Sequence, residues 1–459
     1  MKKTWYQILF LILGLAICLL PLLGLAVTGP APAAANEILA FPPEWKTSSG
    51  SLNLRYLSDA CDYFRDHFSC RQELITLNAK LESGLLGDSA SKKVVVGKDG
   101  WLFYAETTDD YQNTDPLSDR RIWAAAHTLS LIQEYARSKN AAFLFTVVPN
   151  KNTLYPQYMP DLYLRSEEPG NRERLFAALR KEGVSCLDLT DAFRAENRVL
   201  YHRLDSHWTN LGAALAHDRI LAALGKQEDR FYDPARFRTE RTHSGDLYTM
   251  LYPTGTEKDI QYLPDPPLRF QYAVPIRSPE DQRILTACDG KTGNLLMFRD
   301  SFGNSLHSFM AESYEKAWFS RAMPYPLTML DASGADTLVI EIVERNIDWL
   351  SLRAPILPAP VRELPLPEDQ MAVAASLSCE QENALWKISG ELMEGMDEDS
   401  PIYLLVDGTL YEASPVGEKE GSFTVYLPEQ IEQVSILFRR NGKLVQSTAI
   451  ACQSEGDLR

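Results

Sequence analysis

Asp205-Ser206-His207-Trp208-Thr209 sets a carboxylate and an imidazole two positions apart, and Arg299-Asp300-Ser301-Phe302, about ninety residues later, sets a serine just past an apolar run. Brought together, Ser301, His207 and Asp205 would make a nucleophile, a base that takes its proton and a carboxylate that orients the base. That is the apparatus of acyl transfer and ester hydrolysis. In extended backbone, residues i and i+2 point the same way, so Asp205 would face the His207 ring while Trp208 buries beside them and excludes water. Ser301 precedes a plausible helix through Leu306, Phe309 and Met310, whose free N–H groups and dipole would favour an oxyanion. Four more polar residues are candidates for substrate or oxyanion contact: Lys151, after the apolar run 142–148; Arg299, beside Ser301; Asn304; and Arg345, after the run 337–343. Each segment also has a plainer reading, with Asp205 and Asp300 as helix caps and Lys151 as a solvated loop lysine. His202, Asp205 and His207 would suit a metal, but no glutamate base or further histidine stands nearby and no cysteine spacing resembles a zinc site. The expectation is therefore no metal and no cofactor.

The elements that would position these residues follow from hydrophobic period. Residues 37–95 carry apolar positions at helical spacing. Val94 to Tyr104 then reads as strand, turn, strand around Lys98-Asp99-Gly100. From about residue 118, helices alternate with apolar runs: helix 120–139, strand 142–148, helix 171–182, strand 184–189, a helix capped by Thr209 and ending at Gly225, and strands 294–298 and 337–343. Continuous apolar strands separated by helices predict a mostly parallel sheet covered on both faces, with ligands beyond the carboxyl ends of the strands. Residues 352–369 are proline-rich and read as a linker. Short β-like segments at 384–388, 402–406, 422–427, 434–439 and 445–451 then predict a small all-β, sandwich-like domain. The expected division is 1–35 for anchor and linker, 36–365 for the α/β domain and 366–459 for the β domain.

The chain of 459 residues is 45% hydrophobic and carries a formal net charge of −16. This charge argues against a nucleic-acid partner, which wants a basic face. Lys2 and Lys3 precede a nearly unbroken apolar run at 8–27, which has the length of a bilayer span and the flanking charge of a cytoplasmic N-terminus. The small-residue stretch 29–35 reads as a linker or as a cleavage site. Either way the body of the chain is expected outside the cytoplasmic membrane, as a single-pass membrane protein or, after cleavage, a secreted one. Beside Cys18 in the apolar run, the chain has Cys61, Cys70, Cys186, Cys288, Cys379 and Cys452. Locality suggests the pairs Cys61–Cys70 and Cys379–Cys452, with free buried thiols as the alternative.

Taken together, Gly97-Lys98-Asp99-Gly100-Trp101-Leu102-Phe103, Val147-Val148-Pro149-Asn150-Lys151, Asp205-Ser206-His207-Trp208-Thr209 and Asp300-Ser301-Phe302 occur in the order seen in bacterial DHHW proteins. These are similar to the SGNH-hydrolase-like domain of the AlgX and AlgJ alginate O-acetylation proteins, and the resemblance covers roughly residues 37–350. It implies an α/β SGNH-like domain with Ser301 as nucleophile, His207 as base and Asp205 as orienting residue. The implied activity is O-acetyl transfer to, or acetyl removal from, an extracytoplasmic polysaccharide or cell-wall glycan, with a multi-pass membrane O-acyltransferase as acetyl supplier. The family's second histidine is Ser206 here, at a position expected to point away from the triad. The alternative is a glycan-binding or assembly protein that keeps the fold without catalysis.

Overall fold

The computed structural model describes residues 2–30, 39–85, 87–382, 384–393 and 395–454. Residues 31–35 of the expected linker lie outside them. Lys2–Thr28 is a helix of 27 residues with Pro21 inside it. Among the described residues no helix is long and apolar enough to cross a membrane, so the expected N-terminal membrane helix has no support from the structure. The helices Tyr56–His67 and Arg71–Leu85 follow, as the apolar spacing of this stretch predicts.

The strands β1 (Val94–Val96) and β2 (Leu102–Tyr104) form the expected antiparallel hairpin. Asp99 and Gly100 both take positive φ, 53° and 73°. That is the left-handed geometry a tight hairpin turn demands, and Asp tolerates it better than most residues that carry a Cβ.

The central sheet is built from β3 (Ala142–Val148) and β4 (Cys186–Asp188). Before the chain rejoins it, β5 (Phe237–His243) and β6 (Asp259–Pro264) make a separate antiparallel pair. The central sheet then continues with β7 (Gln271–Tyr272), β8 (Arg283–Ala287), β9 (Asn294–Phe298), β10 (Lys316–Ser320) and β11 (Thr337–Val343). Its order is β4-β3-β11-β9-β10-β8-β7. The five strands from β4 to β10 are parallel, while β8 and β7 close one edge antiparallel.

Every residue of β11 is buried and β3 is buried from Phe143 onward, as expected of strands covered on both faces. On one face, the helices Asn210–Ala223 and Gly303–Ala311 pack Leu215, Ile220, Leu306 and Phe309 over Leu295 and Met297. On the other, Asp119–Ser138 and Asn171–Lys181 pack Leu129, Ile132, Leu175 and Leu179 over Phe145 and Leu296. The carboxyl ends of the parallel neighbours β3, β11 and β9 therefore lie at one edge of the sheet, and Asn150, Asp300 and Glu344 lie within two residues of them.

The C-terminal region is β-rich. Strands Ala375–Glu382, Leu385–Leu392 and Ser422–Leu427 form most of a four-stranded sheet. Ile402–Val406, Thr409–Ala413, Gln433–Arg440 and Lys443–Ser447 form most of a seven-stranded one. Leu377, Ile388 and Val425 from the first share a core with Leu404, Ile436 and Phe438 from the second. Val361–Arg362, within the proline-rich stretch, pairs with Thr409–Ala413 at the sheet edge. None of Cys61, Cys70, Cys186, Cys288, Cys379 and Cys452 is in a disulfide, although Cys379 and Cys452 belong to the same core cluster.

Candidate active site

Asp205, His207 and Ser301 meet. His207 Nδ1 lies 2.7 Å from Asp205 Oδ1, and His207 Nε2 lies 2.9 Å from Ser301 Oγ. With the Nδ1 proton directed at the carboxylate, Nε2 is left to accept the serine O–H. The local cause differs from the extended backbone expected. Residues 203–207 form bends rather than a strand, and Asp205 Oδ1 accepts the His207 backbone N–H at 2.9 Å. This is the two-residue turn characteristic of aspartate, and it folds the carboxylate back onto the imidazole.

Thr209 then caps the helix Asn210–Ala223 by accepting the Gly212 N–H. Trp208 is 1% exposed. Its indole N–H donates to the Phe302 carbonyl at 3.0 Å, which ties the base loop to the nucleophile turn.

Ser301 lies between β9 and the helix Gly303–Ala311. Asp300 fixes this turn. Its Oδ1 accepts the Phe302 N–H at 2.9 Å, and its Oδ2 accepts the Val343 N–H at 2.7 Å and Asn346 Nδ2 at 3.2 Å. The Phe302 N–H, one of the donors expected to serve an oxyanion, is thus already engaged.

Asp205 is surrounded by donors. Its Oδ2 accepts His243 Nε2 at 2.9 Å and the Asp246 N–H at 3.0 Å. Burial alone would raise its pKa, but the hydrogen bonds from His207 and His243 hold it well below the usual carboxylate range. Burial works against protonation of His207, and the Asp205 hydrogen bond and charge outweigh it, so its pKa is raised. The pair is thus arranged to keep a carboxylate ionised beside an imidazole that gains basicity from it.

Ser206 does not point away as expected. Its Oγ donates to Asp246 Oδ2 at 2.6 Å and lies 3.1 Å from His207 Nδ1. Asp205, His207 and Asp246 offer three possible ligand atoms within 4.8 Å of one another, but these same atoms serve the hydrogen bonds just described. His202, the other residue of the metal reading, instead stacks on His243 with ring centroids 3.8 Å apart.

The remaining candidates part company. Lys151 is 4% exposed and donates to the carbonyls of Leu102, Arg203 and Asp205 at 2.6, 2.9 and 2.9 Å. Its expected contact with a substrate oxygen is therefore corrected: the ammonium is consumed in binding the hairpin to the Asp205 loop, and burial pushes its pKa down to about 7. Arg299 reaches the cleft wall, but its guanidinium is spent on the Asp300 and Pro279 carbonyls and on Asn304 Oδ1. Asn304 lines the cleft beside Ser301. Arg345 also lines it, with its guanidinium over the rings of Tyr104 and Phe302 at 5.3 and 5.4 Å. Glu344 belongs to the scaffold, accepting the Asn150 N–H and the Thr153 hydroxyl, both at 2.7 Å.

The triad opens onto a cleft of about 1160 Å³. Openness matters, because the molecule holds a second serine–histidine–aspartate cluster. His217 Nδ1 lies 2.9 Å from Asp218 Oδ1, and His217 Nε2 lies 2.8 Å from Ser313 Oγ. His217 and Ser313 are 1% and 2% exposed, so no substrate reaches them.

Residues 94–287 match the family model described as SGNH hydrolase-like domain, acetyltransferase AlgX. The AlgX-like span includes Asp205, His207 and His243 and ends before Ser301. A probable alginate O-acetylase AlgJ from Pseudomonas syringae pv. tomato is 27% identical over 209 residues, covering 44% of this chain and 51% of that protein. The AlgJ protein of Pseudomonas aeruginosa is 30% identical over 166 residues, covering 34% and 41%. The chain thus spans about half the length of the AlgJ relatives it matches. The solved structure of Bacillus cereus PatB1 with a sulfonyl adduct aligns with a TM-score of 0.44 at 13% identity, covering 55% of this chain and 95% of PatB1.

Sequence reasoning missed His243 and Asp246, which lie about forty residues past the Asp205 motif. Nothing in their local spacing marks them. Only the β5–β6 hairpin, itself not foreseen, returns the chain to the site.

Proposed function

We propose that this chain is an O-acetyltransferase or acetylesterase acting on a polysaccharide, with Ser301 as nucleophile, His207 as base and Asp205 as orienting carboxylate. The observation that carries this reading is the 2.9 Å contact between Ser301 Oγ and His207 Nε2, backed by Asp205 and facing an open cleft. Ser301 Oγ attacks the acetyl carbonyl carbon while its proton passes to His207 Nε2. Collapse of the tetrahedral adduct breaks the acyl–oxygen bond of the donor, and the imidazolium returns the proton to the leaving oxygen. A sugar hydroxyl, or water, then attacks the acetyl-serine while its proton passes to His207; collapse of this second adduct breaks the Ser301 Oγ–acyl bond, and the imidazolium returns the proton to Oγ. Asn304 and Arg345 are the groups placed to meet substrate or the developing oxyanion. The relatives named as alginate O-acetylases support a glycan as acceptor.

Lys2 and Lys3 ahead of the apolar run support an extracytoplasmic site, with the chain tethered at the membrane or released by cleavage. A multi-pass membrane O-acyltransferase would then supply the acetyl group. The test uses the purified protein and p-nitrophenyl acetate. Ser301→Ala is expected to lower the rate of p-nitrophenol release by at least about 10³-fold. Retention of the wild-type rate would refute the assignment.

A further inference from the structure

Asp205 has two carboxylate oxygens, and each one takes an imidazole. Oδ1 faces His207 and Oδ2 faces His243. The placement of His243 is built into the local backbone. The β5–β6 register shifts between Arg241 and His243, and a bulge of this kind re-aims the side chain that follows it. The chain beyond then presses against the Asp205 loop. A Cβ at Gly245 would lie 2.1 Å from the Leu204 carbonyl oxygen, so only glycine permits this approach. The Tyr248 N–H donates to that same carbonyl at 3.0 Å, and the Asp246 N–H donates to Asp205 Oδ2. The His202 ring lies flat on His243, 9° from parallel, and fixes the imidazole plane from the far side. Both histidines line the cleft.

We infer that His243 is a positioning residue for the Ser301–His207 pair, acting through Asp205. This rests on the reading of Ser301 as nucleophile. Two effects follow from the geometry. The second imidazole sets the carboxylate plane, so that Oδ1 stays aimed at His207 Nδ1. It also draws on the carboxylate's charge, so that His207 is less basic than it would be with Asp205 to itself. The charged groups facing His207 are Asp205 on its own loop, Asp246 at the start of the helix Asp246–Leu251 and Arg345 after β11. Of these, Asp205 is the one that also accepts a hydrogen bond from His243.

The test compares His243→Phe, which keeps the ring over His202 and loses the donor, with His243→Gln, which keeps an N–H donor. The readout is the pH dependence of kcat/KM for p-nitrophenyl acetate on the full chain. For His243→Phe the acid limb is expected to move to higher pH, because an undivided Asp205 charge holds the proton on His207 more tightly, and kcat is expected to fall about tenfold. His243→Gln is expected to return both toward the wild type. A purely structural role would lower activity without moving the limb. The inference is overturned if His243→Phe leaves the limb in place and kcat within twofold while Ser301→Ala is inactive. Activity surviving in Ser301→Ala would instead overturn the nucleophile reading on which the inference rests. If His243→Phe does not fold, the nitrogen NMR spectrum of wild-type histidines decides: a persistently protonated Nε2 on His243 supports the inference, and a freely exchanging one overturns it.

Discussion

A lysine at the end of a parallel strand invites a catalytic reading, and at Lys151 that reading fails for a physical reason. Its ammonium lies out of water and is held by three carbonyls, one of them belonging to Asp205. Removing the donor leaves the buried Leu102 and Asp205 carbonyls without it, each costing about 1–3 kcal/mol, while the Arg203 carbonyl still accepts the Leu102 N–H. Lys151→Met is therefore expected to lower unfolding free energy by about 3 kcal/mol or more, read from urea denaturation. Activity should fall with it, because the Asp205 loop loses its tether. Glu341 shows a different use of burial. It is 1% exposed on β11, and burial together with the nearby Asp300 raises its pKa well above the ordinary value. Its Oε2 accepts the Asp300 N–H at 3.3 Å, next to the nucleophile turn.

At the scale of elements, the helix Asp119–Ser138 holds the C-terminal β region through charge. His127 Nδ1 lies 2.9 Å from Glu182 and Nε2 lies 3.0 Å from Glu412 on Thr409–Ala413. Burial opposes protonation, but the two carboxylates prevail and raise the His127 pKa from 6.5 to about 9. A pKa raised in the folded state means that folding takes up protons between those values. The stabilisation is thus fully present below about pH 6.5 and is lost as pH rises through about 9. His127→Gln is expected to cost about 2–3 kcal/mol at pH 6 and little at pH 10, measured by thermal melting across that range.

The strands β3, β4, β9 and β11 and the helices that cover them are legible in the sequence because each carries its own hydrophobic period, whereas β7, β8 and β10 of the same sheet, of two to five residues, are not. Asp205, His207 and Ser301 are legible because their residue types are chemically distinctive and lie where such sheets bind ligands. The β5–β6 hairpin is not legible, since β5 is largely exposed and carries charged residues such as Arg238, Glu240 and Arg241 rather than an apolar face. His243 stays hidden with it. Strand Thr409–Ala413 is missed because Glu412 falls on its buried phase, in step with Leu410.

At the scale of the whole molecule, two serine–histidine–aspartate clusters with nearly equal distances differ in access. A fluorophosphonate, which reacts with an activated and reachable serine, is expected to label Ser301 and leave Ser313 unmodified in peptide mapping. Labelling of Ser313 in the folded protein would show that access does not separate the two. The cleft before Ser301 has a further consequence. At about 1160 Å³ it is far roomier than an acetyl group requires, so solvent stands beside the acyl-serine whenever no sugar does. The fate of the acyl group then becomes a race between two nucleophiles, decided by how fully the acceptor occupies the cleft. Acetate release should be the default of the protein alone. Product partitioning should swing toward transfer in a saturable way as acceptor concentration rises, with the total rate of acyl-enzyme formation unchanged.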